Sequence, residues 1–190
     1  KKAKKKYNEL FKILESNPQY TISVANKLTK YNYLEEAVKA YEIALKDPSK
    51  SSYRFKLARI YGQLNNLEMM YENYLEVVMS NKAYLKNVKT MLSRTVSKDS
   101  KNENNVLLKS ILLNKVQQFN NQNIAELLIW LFIQEKNFNA ALDQEKAMDQ
   151  KWNLNQKKVF DLAHICRKNK AFEVALCLLY TSPSPRDTMS

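Results

Sequence analysis

Glycine and histidine are almost missing from this chain of 190 residues, which holds one of each, Gly62 and His164. Phosphate-cradling loops, dinucleotide-binding turns, calcium loops and nucleophile elbows all need glycines at fixed spacing. A histidine-rich metal site or a His-Glu-x-x-His protease needs more than one histidine. The shortage of glycine also speaks against a turn-rich all-β fold. Cysteine is limited to Cys166 and Cys177, which form no Cys-x-x-Cys pair, so neither a disulfide framework nor a zinc signature is present. Long apolar runs are absent as well. Leu127–Ile133 and Val174–Tyr180 are the longest, well short of the roughly 20 residues that cross a bilayer, so no membrane span is expected.

What the chain has in surplus is positive charge. Lysine and arginine total 31 against 19 acids, a formal net charge of +12. Such a balance can mark a polyanionic partner. Only five of the 31 are arginine, however, and arginine is the residue of bidentate phosphate recognition. Lysine together with 21 asparagines is also what an AT-rich genome writes through codon bias. Nucleic acid is therefore the lesser expectation.

The chain starts at Lys1 in what reads as mid-helix, and a fragment truncated at both ends is expected. Residues 177–187 read Cys-Leu-Leu-Tyr-Thr-Ser-Pro-Ser-Pro-Arg-Asp, which resembles the in-frame translation of a transposase adapter from sequencing libraries. Residues 177–190 are accordingly set aside as a non-native tail.

Residues 1–176 read as one domain of repeated helix pairs, with apolar positions at i, i+3, i+4 and i+7. Val24, Ala25, Leu28, Ala37, Tyr41 and Ala44 recur 33 residues later as Leu57, Ala58, Tyr61, Met70, Tyr74 and Val77. Leu128, Ile129, Phe132, Phe138 and Ala141 recur 34 residues later as Leu162, Ala163, Cys166, Phe172 and Ala175. Short turns are expected at Thr29–Asn32, Leu64–Asn66, Gln134–Asn137 and Arg167–Lys170. The stretch from about 81 to 122 breaks register. It reads as a degenerate unit whose helices, Tyr84–Arg94 and Asn105–Phe119, flank a long polar connector at Ser97–Asn104. Ala58 and Ile129, equivalent positions, are 71 residues apart, about five more than two spacings of 33. Small residues such as Ala25, Ala58 and Ala141 mark close helix approach, and large ones such as Tyr41, Tyr74, Phe138 and Phe172 fill holes in a neighbouring unit. One such pair cannot bury its apolar face alone, whereas stacked pairs share a continuous core.

These residues resemble the tetratricopeptide repeat, a helix-turn-helix of about 34 residues. The first unit carries the pattern as Val24-Ala25, Leu28, Ala37, Tyr41 and Ala44, with Pro48 one position early; the second substitutes Arg54, Met70 and Val77, and no unit has the family's glycine. The chain is also similar to the middle of long exported bacterial tetratricopeptide proteins. The resemblance implies an all-α solenoid of antiparallel helix pairs in a right-handed superhelix. It further implies a peptide- or protein-binding groove lined by the first helix of each pair and, loosely, a bacterial periplasm or cell envelope.

No catalytic constellation emerges. His164 and Cys166 are two apart and point about 200° apart on a helix, so they form no dyad. Cys166 falls on a core position. Glu68, Glu72 and Glu76 form a stripe expected to be a solvated face, Lys1–Lys6 a solvated basic run, Trp152 and Met69-Met70 inter-repeat packing, and most tyrosines and phenylalanines core. Register places Ile22, Asn26 and Lys30; Phe55, Arg59 and Gly62; Glu126, Trp130 and Ile133; and Phe160, His164 and Arg167 on the groove side. Packing beneath the irregular connector is the other role open to Trp130. The expected ligand-binding residues are Asn26, Lys30, Phe55, Arg59, Trp130, Phe160, His164 and Arg167, with no cofactor and no catalytic residue. The leading expectation is a non-enzymatic protein-interaction scaffold. A helical-repeat RNA-binding module and a regulatory part of a larger enzyme are its rivals. Partner identity and oligomeric state are not written in the sequence.

Overall fold

A computed structural model describes residues 2–153 and 157–181, with side chains for 6–153 and 158–176. Most of the Lys1–Lys6 run, and Cys177 with the rest of the 177–190 tail, therefore lie outside the described side chains. The described residues are all-helical, with no strand. The α-helices are Lys2–Ser16 (α1), Thr21–Lys30 (α2), Leu34–Ala44 (α3), Arg54–Gln63 (α4), Leu67–Ser80 (α5), Leu85–Leu92 (α6), Glu103–Gln118 (α7), Gln122–Gln134 (α8), Phe138–Trp152 (α9), Lys157–Lys168 (α10) and Phe172–Thr181 (α11). Three short 3-10 segments, Pro18–Tyr20, Pro48–Tyr53 and Lys82–Tyr84, lead into α2, α4 and α6. No helix among the described residues is long and apolar enough to cross a membrane. The chain divides into two compact units, Lys1–Val88 and Lys89–Ser190, with the boundary inside α6.

In the first unit α2 packs on α3 and α4 on α5, while α3 also meets α1 and α4. Its core holds Leu14, Ala25, Ala37, Tyr41, Ala58, Tyr71, Tyr74 and Leu75, all essentially inaccessible. In the second unit α7 packs on α8, α8 on α9, α9 on α10 and α10 on α11. Leu108, Leu112, Ile124, Leu127, Leu128, Leu131, Ala141 and Cys166 form its centre.

The expected periodicity is visible in four equivalent turns. Asn32, Asn65, Lys136 and Lys170 all adopt positive φ, at 61°, 57°, 56° and 61°. Each turn closes with the same two bonds. The amides of Asn32 and Tyr33 donate to the carbonyls of Thr29 and Leu28, those of Asn65 and Asn66 to Gly62 and Tyr61, those of Lys136 and Asn137 to Ile133 and Phe132, and those of Lys170 and Ala171 to Arg167 and Cys166. This is the Schellman arrangement, which satisfies the last helical carbonyls before the chain reverses. Asparagine, which tolerates the left-handed conformation better than most residues, holds two of the four positions, and lysine holds the other two. Asn66 and Asn137 then cap the following helices, accepting from the amides of Met69 and Ala140.

The lone glycine has a packing reason. A Cβ at Gly62 would lie 2.8 Å from Met70 Sδ. The positions equivalent to Gly62 and Met70 hold Thr29 and Ala37 in the first pair and Ile133 and Ala141 in the third. The bulk is shared differently in each pair, and only where the second helix presents methionine does the first present glycine.

The degenerate segment forms as α6 and α7 around a tied-down connector. Asn105, fully buried, accepts from the Ser97 amide at 2.8 Å, donates to the Ser97 carbonyl at 2.9 Å, and donates to Glu135 Oε1 at 3.0 Å. Lys109 lies 2.8 Å from the other Glu135 oxygen. The irregular backbone is thus held by a side-chain amide where no regular ladder can satisfy it.

Three expectations change. Glu72 and Glu76 are half-buried, so only Glu68 of that stripe is fully exposed. Among the aromatics, Tyr41, Tyr61, Tyr71, Tyr74, Phe132 and Phe138 are core, but Tyr20, Tyr31, Tyr33, Phe119, Phe160 and Phe172 are exposed. Phe172 is the first residue of α11. Of the two methionines assigned to packing, Met70 is buried and Met69 is exposed.

Candidate functional site

Each unit carries a cleft between successive first helices, floored by a residue of the intervening second helix. In the first unit the cleft holds about 300 Å³ and is lined by Asn26, Thr29 and Lys30 of α2, Tyr41 of α3, and Lys56, Arg59, Ile60 and Gln63 of α4. In the second unit it holds about 360 Å³ and is lined by Lys89 of α6; Glu126, Ile129, Trp130, Ile133 and Gln134 of α8; Glu145 of α9; and Lys158, Asp161, Leu162 and Ile165 of α10. The two are built from the same repeat positions. Asn26 corresponds to Trp130, Thr29 to Ile133, Lys30 to Gln134 and Tyr41 to Glu145, each 104 residues apart.

The first-unit cleft is cationic. Lys30, Lys56 and Arg59 line it, and no carboxylate does. Tyr41 donates its hydroxyl to Asn26 Oδ1 at 2.8 Å, and Lys56 Nζ donates to the same oxygen at 3.1 Å. Two donors on Oδ1 fix the amide orientation and leave the Asn26 nitrogen to donate to a ligand.

The second-unit cleft is apolar with an ionic rim. Glu126 sits between Lys158 Nζ at 2.6 Å and Lys89 Nζ at 3.0 Å. Burial pushes its carboxyl up, but the two ammonium groups outweigh this and hold it below the usual range. Glu145 has no such partner. It is buried, and its Oε1 accepts no hydrogen bond. Burial pushes its pKa up to about 7, reinforced by Glu126, Asp149 and Asp161 and opposed by Lys158.

The structure brings Asn26, Lys30 and Arg59 together as register implied, and places half-buried Trp130 in the second-unit cleft. Phe55 does not join them. Its ring packs 5.3 Å from Tyr74 and 5.8 Å from Tyr84, because an aromatic between two helices gains more from edge contact than from exposure. Gly62 faces Met70 instead of a ligand. Phe160, His164 and Arg167 surround a separate recess of about 90 Å³ with Ala163 and Ala175. Cys166 is buried and its thiol is pushed up by that burial, which makes it a poor nucleophile.

Register alone missed Lys56, Tyr41, Lys89, Lys158 and Glu145. For Glu145 a signal existed, a carboxylate at the position where the earlier repeats place Tyr41 and Tyr74. Among the described residues no group of three or more His, Cys, Asp or Glu side chains is placed to hold a metal ion. No protein-family model and no curated protein matches this chain.

Proposed function

We propose that the chain is a tetratricopeptide-like solenoid that acts as a non-enzymatic scaffold, binding peptide segments of a protein partner on its first-helix faces. The observation that carries this reading is the recurrence of one cleft at the same repeat position in both units, with different side chains in each. A repeated geometry with varied lining suits recognition of a different peptide side chain in each unit. In the first unit, Lys30, Lys56, Arg59 and the Asn26 amide suit an acidic side chain of that peptide.

The test is to pan a displayed random-peptide library against the full chain and retest the enriched peptides on an Arg59→Glu/Lys56→Glu variant. Enriched peptides carry Asp or Glu and lose about 10- to 100-fold in affinity, the scale of one or two charge-assisted contacts reversed. Undiminished binding to the double variant overturns the reading. The same three cations and the +12 net charge favour a second reading, a helical-repeat RNA-binding module. That reading is upheld if the chain prefers a single-stranded RNA pool to peptides and the affinity falls steeply with added salt.

A further inference from the structure

The second-unit cleft differs from its counterpart in one respect that bears on its ligand: its excess of charge is negative, where that of the first is positive. Lys89 and Lys158 face three carboxyl groups, those of Glu126, Glu145 and Asp161. Both lysines are spent on Glu126. The Glu145 carboxyl, at the cleft floor, is left with a buried oxygen that accepts no hydrogen bond. A buried acceptor without a donor costs free energy that a ligand donor would recover. Around it the walls are greasy, formed by Ile129, Trp130, Ile133, Leu162 and Ile165. The missing counterpart therefore has two parts, a cationic donor and an apolar stem behind it.

We propose that this cleft takes the side chain of a lysine on the bound peptide, its ammonium directed to Glu145 and its methylenes laid along Trp130 and the isoleucines. The proposal rests on the reading that the first-helix faces bind peptide, and it gives the two clefts opposite preferences, acidic in the first unit and basic in the second. A carboxylate as buried as Glu145 pairs more strongly with an ammonium than one in open water, a gain set against the desolvation of the incoming charge. An aromatic face beside the same cation adds to it.

The probe is n-butylammonium, which reproduces the lysine head and stem, compared with 1-butanol, which keeps the stem and loses the charge. Both are titrated into the full chain at pH 8, where Glu145 is ionised, following the Trp130 indole N–H resonance. Butylammonium is expected to bind about tenfold more tightly than butanol, and Glu145→Gln to abolish the preference while leaving butanol binding in place. Equal affinity of the two probes for the wild-type chain overturns the proposal without reference to any variant. So does a preference that survives in Glu145→Gln. A free organic amine would be the natural ligand instead if butylammonium shows the preference but lysine-containing peptides do not reach the cleft, and that outcome overturns the lysine assignment. Because the probes need no peptide, failure here is distinct from failure of the scaffold reading, which the panning experiment decides.

Discussion

A glutamate buried as Glu145 is holds its proton to about pH 7, whereas in an unfolded chain it ionises near 4.5. Between those values the folded state binds the extra proton, so the stability tied to this group is complete below about pH 4.5 and is lost as pH rises through 7. The loss is about 3 kcal/mol, from the size of the shift. Glu126 acts in the opposite sense, since its lowered pKa gives stability that is present above its unfolded value and lost in acid. Glutamine at 145 keeps the shape and cannot ionise. Glu145→Gln is therefore expected to match the wild type in urea unfolding at pH 4 and to exceed it by about 3 kcal/mol at pH 8. Equal stabilities at pH 8 would show that the carboxyl is solvated after all. At this scale the sequence was only partly legible. Asn26, Lys30 and Arg59 follow from helical phase, because phase fixes direction on a helix. Phe55 does not, because its contacts with Tyr74 and Tyr84 depend on how far the next helix stands off, which no phase encodes.

Helix pairs were the most legible level. All four expected turns are found, and their positive-φ residues lie at offsets of 33, 71 and 34, the middle one spanning the out-of-register segment. Turn chemistry and apolar period agreed, which is why the reading held there. The out-of-register segment was legible in outline only. The Asn105–Glu135 link that pins its connector joins residues 30 apart and leaves no local pattern. Within a pair, the sharing of bulk between Gly62 and Met70 is testable. Gly62→Thr, the residue of the first pair, should destabilise by about 1–3 kcal/mol because it drives atoms into the methionine. Met70→Ala alone should cost about 2–4 kcal/mol through its cavity. Together they recreate the Thr29/Ala37 pairing, so a double-mutant cycle should show the second change partly cancelling the first, by at least about 1 kcal/mol. Strict additivity would mean the two side chains do not share one space.

For the whole molecule, composition spoke only against motifs that need spaced glycines or several histidines, whereas the periodicity supplied the all-α architecture. The division into two units falls inside α6, within the segment where the repeat register breaks, but the exact boundary is not marked, since the helix that contains it has ordinary amphipathic spacing. Each unit has its own interior, and the Gly62–Met70 contact sits in the first. It has a chemical consequence for the intact protein. Converting a thioether to its sulfoxide adds an oxygen, and Met70 is buried with its Sδ only 2.8 Å from where a Cβ on Gly62 would stand. Met69, next in the chain, is 37 % exposed. Dilute peroxide should therefore modify Met69 readily and Met70 only as fast as α4 and α5 part. The ratio of the two products, read by mass spectrometry along a urea series, becomes a clock for the breathing of the first unit, and equal rates in native buffer would mean that the seam between those helices is open to solvent.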